Sequence, residues 1–246
     1  MKNLDIAFVI LSCDKFKVTW TPCIDHFFNS WPECPYPVYL LNNFSSCEDE
    51  RVRDLLVGED INWSDTLKKG LLKIEEKRIF FLYDDAFITK LNVKEIELIF
   101  NIAVENNLDS VALRKRVFDS GKRFNEKIYK INSTAKYRNS LYLNLIKKNL
   151  LLSLLISGEN TWQFEKVGNR RSEKFDYYSV YDTKLVAYHH GIVKAKWIPK
   201  TYNYLKNNGY SLDGNPFKNH SKFKVFSMDI YTVIFYTVHK FLNLFK

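Results

Sequence analysis

The sequence predicts an α/β fold built on a mostly parallel sheet, and three observations carry that prediction. Ile6-Ala7-Phe8-Val9-Ile10-Leu11 is an unbroken apolar run of strand length, as expected of a strand buried on both faces. Helical and extended patterns then alternate as far as Leu113. A further apolar run, Arg78-Ile79-Phe80-Phe81-Leu82, leads into Tyr83-Asp84-Asp85-Ala86-Phe87, so two adjacent carboxylates follow a buried strand. Open α/β sheets bind ligands at the carboxyl ends of their strands, and adjacent carboxylates there repel unless a cation, a proton or solvent relieves them. On these residues alone two readings stand: a divalent cation carrying a phosphorylated ligand, or one carboxylate capping a turn while the other faces water.

The elements follow in order. After the first strand, Thr21-Pro22 offers an N-cap and a first-turn proline, with Ile24, Phe27 and Phe28 at helical spacing behind it. Pro37-Val38-Tyr39-Leu40-Leu41 then completes a βαβ unit. Ser64 is placed to cap a helix with Leu67, Leu71 and Ile74 on one face, leading into the strand before Asp84. Asn92 with Glu95 resembles a capping box for a helix that turns Ile96, Ile99, Phe100 and Ala103 inward, and Ser110-Val111-Ala112-Leu113 is a short strand beyond it. From Arg114 to Asn132 the chain is charged and aromatic, the pattern of strands and a loop laid over the sheet. Leu143, Ile146, Leu150, Leu151 and Leu154 predict a core helix from Ser140 to Ser157-Gly158, too interrupted by Lys147, Lys148 and Asn149 to span a membrane. Tyr177 to Tyr188 and Ile192 to Trp197, around His189-His190-Gly191, read as a late hairpin.

At 246 residues, 46% hydrophobic, with eight glycines and six prolines, the chain can bury one substantial core and has no room for a long low-complexity linker. Residues 1–221 are expected to form one domain and 222–246 a basic, aromatic, amphipathic helical tail. A transmembrane span there would bury Asp229 and His239, so contact with the surface of an anionic membrane is the expected role, with packing on the domain as the alternative. The net charge of +9 predicts attraction to polyanions. Without a helix-turn-helix, zinc-finger or RNA-recognition signature, nucleic acid ranks last among them. The four cysteines, Cys13, Cys23, Cys34 and Cys47, lack zinc-site spacing and read as free thiols. The first apolar run is too short for a signal peptide, so the expected compartment is the cytoplasm.

Several segments together resemble a known family. Ile10-Leu11-Ser12-Cys13-Asp14-Lys15, Pro35-Tyr36-Pro37-Val38-Tyr39-Leu40, Trp63-Ser64 with the Leu67 helix, Asp84-Asp85-Ala86-Phe87, Tyr137-Arg138-Asn139-Ser140-Leu141 and Trp162-Gln163-Phe164-Glu165 recur in this order in it. The chain resembles the bacterial GT-A-type glycosyltransferases of cell-surface polysaccharide assembly, as found in lipopolysaccharide O-antigen and capsule gene clusters. The resemblance runs from about Ile6 to Trp197 and omits the tail. It implies a Rossmann-type, mostly parallel sheet flanked by helices, a nucleotide-sugar donor, a glycan or polyprenyl-linked acceptor, and Mg²⁺ or Mn²⁺ held by an acidic motif.

Carried over residue by residue, the resemblance makes Asp84 and Asp85 the metal motif. The family separates its acids by one residue, however, and Tyr83 stands where the first would be. Asp85 is therefore the expected metal ligand, and Asp84 a second ligand or a ribose contact. Glu165 matches the acid that faces the acceptor, at the start of a loop after the leucine helix. As general base it implies inversion at the anomeric carbon; Glu159 is its rival, and an ion pair between Glu165 and an arginine is the structural alternative. Ser12 and Asp14 lie where such folds contact the nucleotide, with a helix cap as the alternative for Asp14. Lys194 and Lys196, ahead of Arg170 and Arg171, are the candidates to neutralise the diphosphate. Neighbouring strand residues face opposite ways, so His189 and His190 are not expected to share one metal ion. The expected function is a hexosyltransferase-like enzyme at the inner face of the cell membrane; the alternative is a non-catalytic nucleotide-sugar or glycan-binding module.

Overall fold

A computed structural model describes residues 5–115, 121–221, 223–225 and 227. Most of the expected amphipathic tail over 222–246 thus lies outside the described residues. In chain order the elements are β1 (Ile6–Leu11), α1 (Lys17–Ser30), β2 (Val38–Asn42), β3 (Arg53–Leu56), α2 (Trp63–Leu71), β4 (Arg78–Tyr83) and β5 (Ala86–Leu91). Next come α3 (Val93–Glu105), β6 (Ser110–Ala112), β7 (Lys122–Arg123), β8 (Ile128–Lys130), β9 (Asn144–Lys147), α4 (Lys148–Leu154) and α5 (Thr161–Ser172). The rest are β10 (Tyr177–Val180), β11 (Val186–His190), β12 (Ile192–Val193), β13 (Lys196–Trp197), α6 (Pro199–Asn207) and β14 (Lys218–Asn219).

Nine strands form the central sheet in the order β3-β2-β1-β4-β9-β6-β10-β8-β7. β1 pairs in parallel with β2 and β4, and β10 with β6, whereas β9 runs antiparallel to both β4 and β6 and β8 antiparallel to both β10 and β7. The sheet is thus mostly parallel, with β8 and β9 reversed. Alternation along β1 explains why it is apolar throughout. Ile6, Phe8 and Ile10 enter a core with α1 and α3, and Ala7 and Val9 enter a second core on the opposite face with α2, α4 and α5. Among the described residues no helix is long and apolar enough to cross a membrane.

Several local expectations need correction. α1 starts at Lys17, not at Thr21, because a 3₁₀ turn over Asp14–Phe16 begins the helical path and the Thr19 hydroxyl donates to the Phe16 carbonyl at 2.7 Å. Pro22 is therefore internal to α1. The cap of α2 is Asn62, whose side-chain oxygen accepts from the Asp65 amide at 3.0 Å; the Ser64 hydroxyl donates instead to Asn62 and to the Ile156 carbonyl.

The predicted helix from Ser140 divides into a strand and a short helix. Leu143 takes a positive φ of 52°, Asn144–Lys147 becomes β9, and only Lys148–Leu154 is helical. A run that is apolar on every side suits a strand buried between neighbours as well as a helix, and β4 and β6 both present backbone edges that β9 satisfies. Glu165 consequently lies within helix α5, not a loop, opened by a capping box of Asn160 and Gln163. The late hairpin is absent: β10 joins the central sheet, β11 pairs with β5, and only β12 and β13 pair with each other as a hairpin. β7 and β8 extend the central sheet instead of covering it.

Candidate functional site

β1 and β4 lie side by side and end together, with the Asp84 amide donating to the Leu11 carbonyl at 3.4 Å. Ser12 leaves β1 at this point. Its hydroxyl donates to the Asp84 carboxylate and accepts from the Trp20 indole N–H at 2.7 Å. An indole nitrogen only donates, so Trp20 occupies a lone pair of Ser12 and leaves the hydroxyl proton for an acceptor. Asp84 is 6% exposed. Burial, followed by the charge of Asp85, pushes its pKa well above the ordinary carboxylate range, and the bond from Ser12 acts in the opposite sense.

Asp85 is half-buried and held from the other side. The Gly191 amide donates to its main-chain carbonyl at 2.7 Å. Burial raises the carboxyl pKa to about 6 against backbone hydrogen bonds, one of them from Ile192. A Cβ on Gly191 would come within 2.5 Å of the Phe87 ring and 3.1 Å of the Asp85 carbonyl, so this approach requires glycine. Tyr142 backs the acidic turn, its ring stacked 5.0 Å from Tyr83 and edge-on to Tyr188 at 5.2 Å.

Beside Asp84 opens a cleft of ≈ 270 Å³, lined among others by Ser12, Cys13, Asp60, Trp63, Asp84 and Thr161. Thr161 begins α5 and Glu165 follows one turn later on the same flank of the helix, half-buried and outside the cleft lining. Among the described residues Glu165 makes no ion pair. It is Glu159 that is engaged, by both terminal nitrogens of Arg171 at 2.9 and 2.6 Å. Asp84, Asp85 and Ser12 are therefore brought together, and Glu165 stands on the helix that forms one wall of the cleft.

The other candidates have different surroundings. Asp14 accepts from the amides of Asn43, Phe44 and Ser45 and from the Ser45 hydroxyl, at 3.1–3.2 Å, and so fastens the loop after β2 to the end of β1. Burial alone would raise its pKa, but those bonds outweigh it and hold the carboxyl low. Lys194 and Lys196 are exposed on the β12–β13 hairpin and do not line the cleft. Arg170 is exposed on α5. In β11, His189 and His190 lie opposite Phe87 and Ala86 of β5, and the pKa of each imidazole is lowered, first by burial and then by neighbouring cations. Sequence reasoning missed Trp20 and Gly191. Trp20 sits in the first turn of α1, where a helix starting at Lys17 directs it back at Ser12; Gly191 had a visible signal as a lone glycine directly after a strand pattern.

Two carboxylates supply only part of a coordination shell, and among the described residues no group of three or more His, Cys, Asp or Glu is arranged to hold a metal ion. Oxygen donors of this kind suit Mg²⁺ or Mn²⁺ when water and substrate phosphates provide the remaining ligands.

No family model matches the chain, and no curated protein matches it. Solved structures do share its fold. Staphylococcus aureus TarS residues 1–349 in complex with UDP-GlcNAc superposes with a TM-score of 0.52 at 11% identity, over 81% of this chain and 64% of that one. UDP-glucose pyrophosphorylase complexed with UDP-glucose gives a TM-score of 0.50 at 8% identity, over 75% of this chain and 92% of that one. The likeness at these identities is one of fold: a GT-A-like α/β architecture. The chain spans only 59–64% of the TarS fragment.

Proposed function

We propose that the protein is a nucleotide-sugar-dependent glycosyltransferase that moves a sugar from a nucleoside-diphosphate donor to a surface-glycan or lipid-linked acceptor. The observation that carries this reading is the convergence of Ser12, Asp84 and Asp85 at the carboxyl ends of β1 and β4, beside an open cleft. The fold adds support, being shared with proteins crystallised with UDP-GlcNAc and UDP-glucose.

Asp85, with the Asp84 oxygen that Ser12 leaves unused, would hold Mg²⁺ or Mn²⁺, which supplies positive charge opposite the departing diphosphate. Ser12 and Trp20 keep Asp84 in one orientation, and Asp14 fixes the loop at the edge of the nucleotide site. Lys194 and Lys196 serve the diphosphate if the β12–β13 hairpin closes over it. Glu165 takes the proton of the acceptor hydroxyl as that oxygen bonds to the anomeric carbon; the bond from that carbon to the phosphate oxygen breaks, and its electron pair leaves with the nucleoside diphosphate. One displacement of this kind inverts the anomeric centre. With a lipid-linked acceptor, the work belongs at the cytoplasmic face of a membrane, in lipopolysaccharide or capsule assembly.

Thermal-shift screening of UDP, GDP and their sugars with and without Mn²⁺ tests the donor site, since a ligand of the native state raises the melting temperature. At least one nucleotide is expected to raise it in a Mn²⁺-dependent way; no shift with any nucleotide removes the reading. Glu165→Gln separates enzyme from binding module. It should retain the nucleotide shift and lose transfer by about 10²–10⁴-fold, and a wild-type protein that binds donors without turnover would be the binding module.

A further inference from the structure

α2, α4 and α5 form the helical layer on one face of the sheet, and their inner sides share a single core. The outer side of this layer departs from an ordinary solvated surface. Ile61, Leu72, Ile156, Trp162 and Val167 all project from α2, α5 or their flanking turns, with exposures from 48% for Ile156 to 72% for Ile61. They make up five of the eleven large exposed hydrophobic side chains among the described residues. Cations stand between them. Lys68, Lys69 and Lys73 are exposed along α2 and its end, and Lys166 and Arg170 along α5. The exposed positions within the two helices include no carboxylate; exposed Glu59, Asp60, Glu75 and Glu173 stand in the turns at their ends. Asp65 is half-buried and accepts from Ser157 and Asn62. The Lys166 ammonium lies 5.6 Å from the centre of the Trp162 ring. On α5, Trp162, Gln163, Lys166, Val167 and Arg170 share one face, directly opposite buried Phe164, Gly168 and Ser172.

We propose that this outer face docks on an anionic lipid bilayer. Isolated exposed hydrophobic residues need no explanation, but a set gathered on one helical layer and interleaved with lysine and arginine fits the boundary between headgroups and acyl chains. Trp162 would lie at headgroup level, where indole rings concentrate. The lysine stems would cover apolar surface while their ammonium groups meet lipid phosphates. Charge favours the occupant: the exposed charges within α2 and α5 themselves, Lys68, Lys69, Lys166 and Arg170, are all positive, and an anionic leaflet supplies their counter-charge. The same helices contribute Trp63, Thr66 and Thr161 to the cleft, so docking on this side would hold the cleft beside the bilayer. Lipid docking requires no donor or turnover and stands independently of the glycosyltransferase reading.

Co-sedimentation of the full chain with vesicles tests the proposal. Wild type should bind vesicles containing phosphatidylglycerol and release them at high salt, with much weaker binding to pure phosphatidylcholine. Lys69→Glu/Lys166→Glu should reduce binding to the anionic vesicles by about tenfold or more, and Leu72→Ser/Trp162→Ser should reduce it comparably, both with unchanged melting temperature. Wild type failing to bind anionic vesicles overturns the proposal. So does wild-type affinity in both folded variants, which would assign lipid contact to another surface, or a dimer that only the wild type forms, which would assign the face to a second copy of the chain.

Discussion

The two ends of the sheet present opposite chemistry. At the amino ends of β1 and β2 lies the larger cavity, ≈ 940 Å³, with Asp5, Glu50, Glu75, Glu76 and Glu97 around it beside Arg51 and Arg53. Burial and then the charge of Glu97 raise the phenol of Tyr36 and the thiol of Cys34, on its wall, to about 12 each. The carboxyl ends of β1 and β4 hold the smaller cleft, ≈ 270 Å³, beside Asp84 and Asp85. Volume therefore does not locate the candidate site. Five carboxylates against two arginines around an open groove leave it net repulsive to a diphosphate, whereas two carboxylates placed together at strand ends can share a cation with one.

The comparison is most easily broken at Asp85. Asp85→Asn should lower transfer by about 10²–10³-fold, read as initial rates, because the oxygen set for the cation is lost. Unfolding would not explain that loss. A carboxyl whose pKa rises to about 6 in the folded chain, against an ordinary 3.8, weakens the fold as pH climbs through that interval. The amide should therefore melt higher than wild type at pH 7–8, by on the order of 1–3 kcal/mol, and show little difference near pH 4. A lower melting temperature at pH 8 would contradict the account.

Gly191→Ala drives a methyl into Phe87 and the Asp85 carbonyl, and urea unfolding should register a loss of about 1–3 kcal/mol together with weaker Mn²⁺ binding. The pH sharpens the contrast further. The Mn²⁺-dependent part of any nucleotide shift needs ionised Asp85, so it should hold above pH 6 and decline below it, with cation affinity falling up to about tenfold per pH unit. Trp20→Phe keeps the ring shape and removes one donor to Ser12; a loss of about 1 kcal/mol is expected, with a smaller change in nucleotide affinity. At the other end of the sheet Glu97→Gln should move stability by about 0.5 kcal/mol or less and leave donor binding unchanged. A loss of donor binding in that variant would transfer the site to the larger cavity.

What was legible in the sequence was whatever depends on a short run. β1, β2 and β4 are continuous apolar segments, buried on both faces and placed within about a residue of expectation, and the capping interaction of Asn92 with the Glu95 amide is present. Asp84 and Asp85 followed directly from β4. The stretch around Leu145 is ambiguous in sequence because a strand wedged between two others and a buried helix present the same apolar composition. For Glu165 the local signal was present, since Asn160 and Gln163 form the capping box that opens its helix. The brace from Gly191 to Asp85 joins residues distant in sequence, and no local pattern encodes such a contact.

The reversed strand β9 has a consequence for the order of assembly. The four-stranded unit β3-β2-β1-β4, whose strand ends carry Ser12, Asp84 and Asp85, is complete in sequence by Tyr83, yet the strand that covers the open flank of β4 arrives only at Asn144–Lys147. During synthesis β4 is therefore an unprotected edge while some sixty residues are added, which is the circumstance that invites strand pairing between chains. Fragments ending before Asn144 should aggregate, because the strands bearing the acidic pair stay open on one flank until β9 is made.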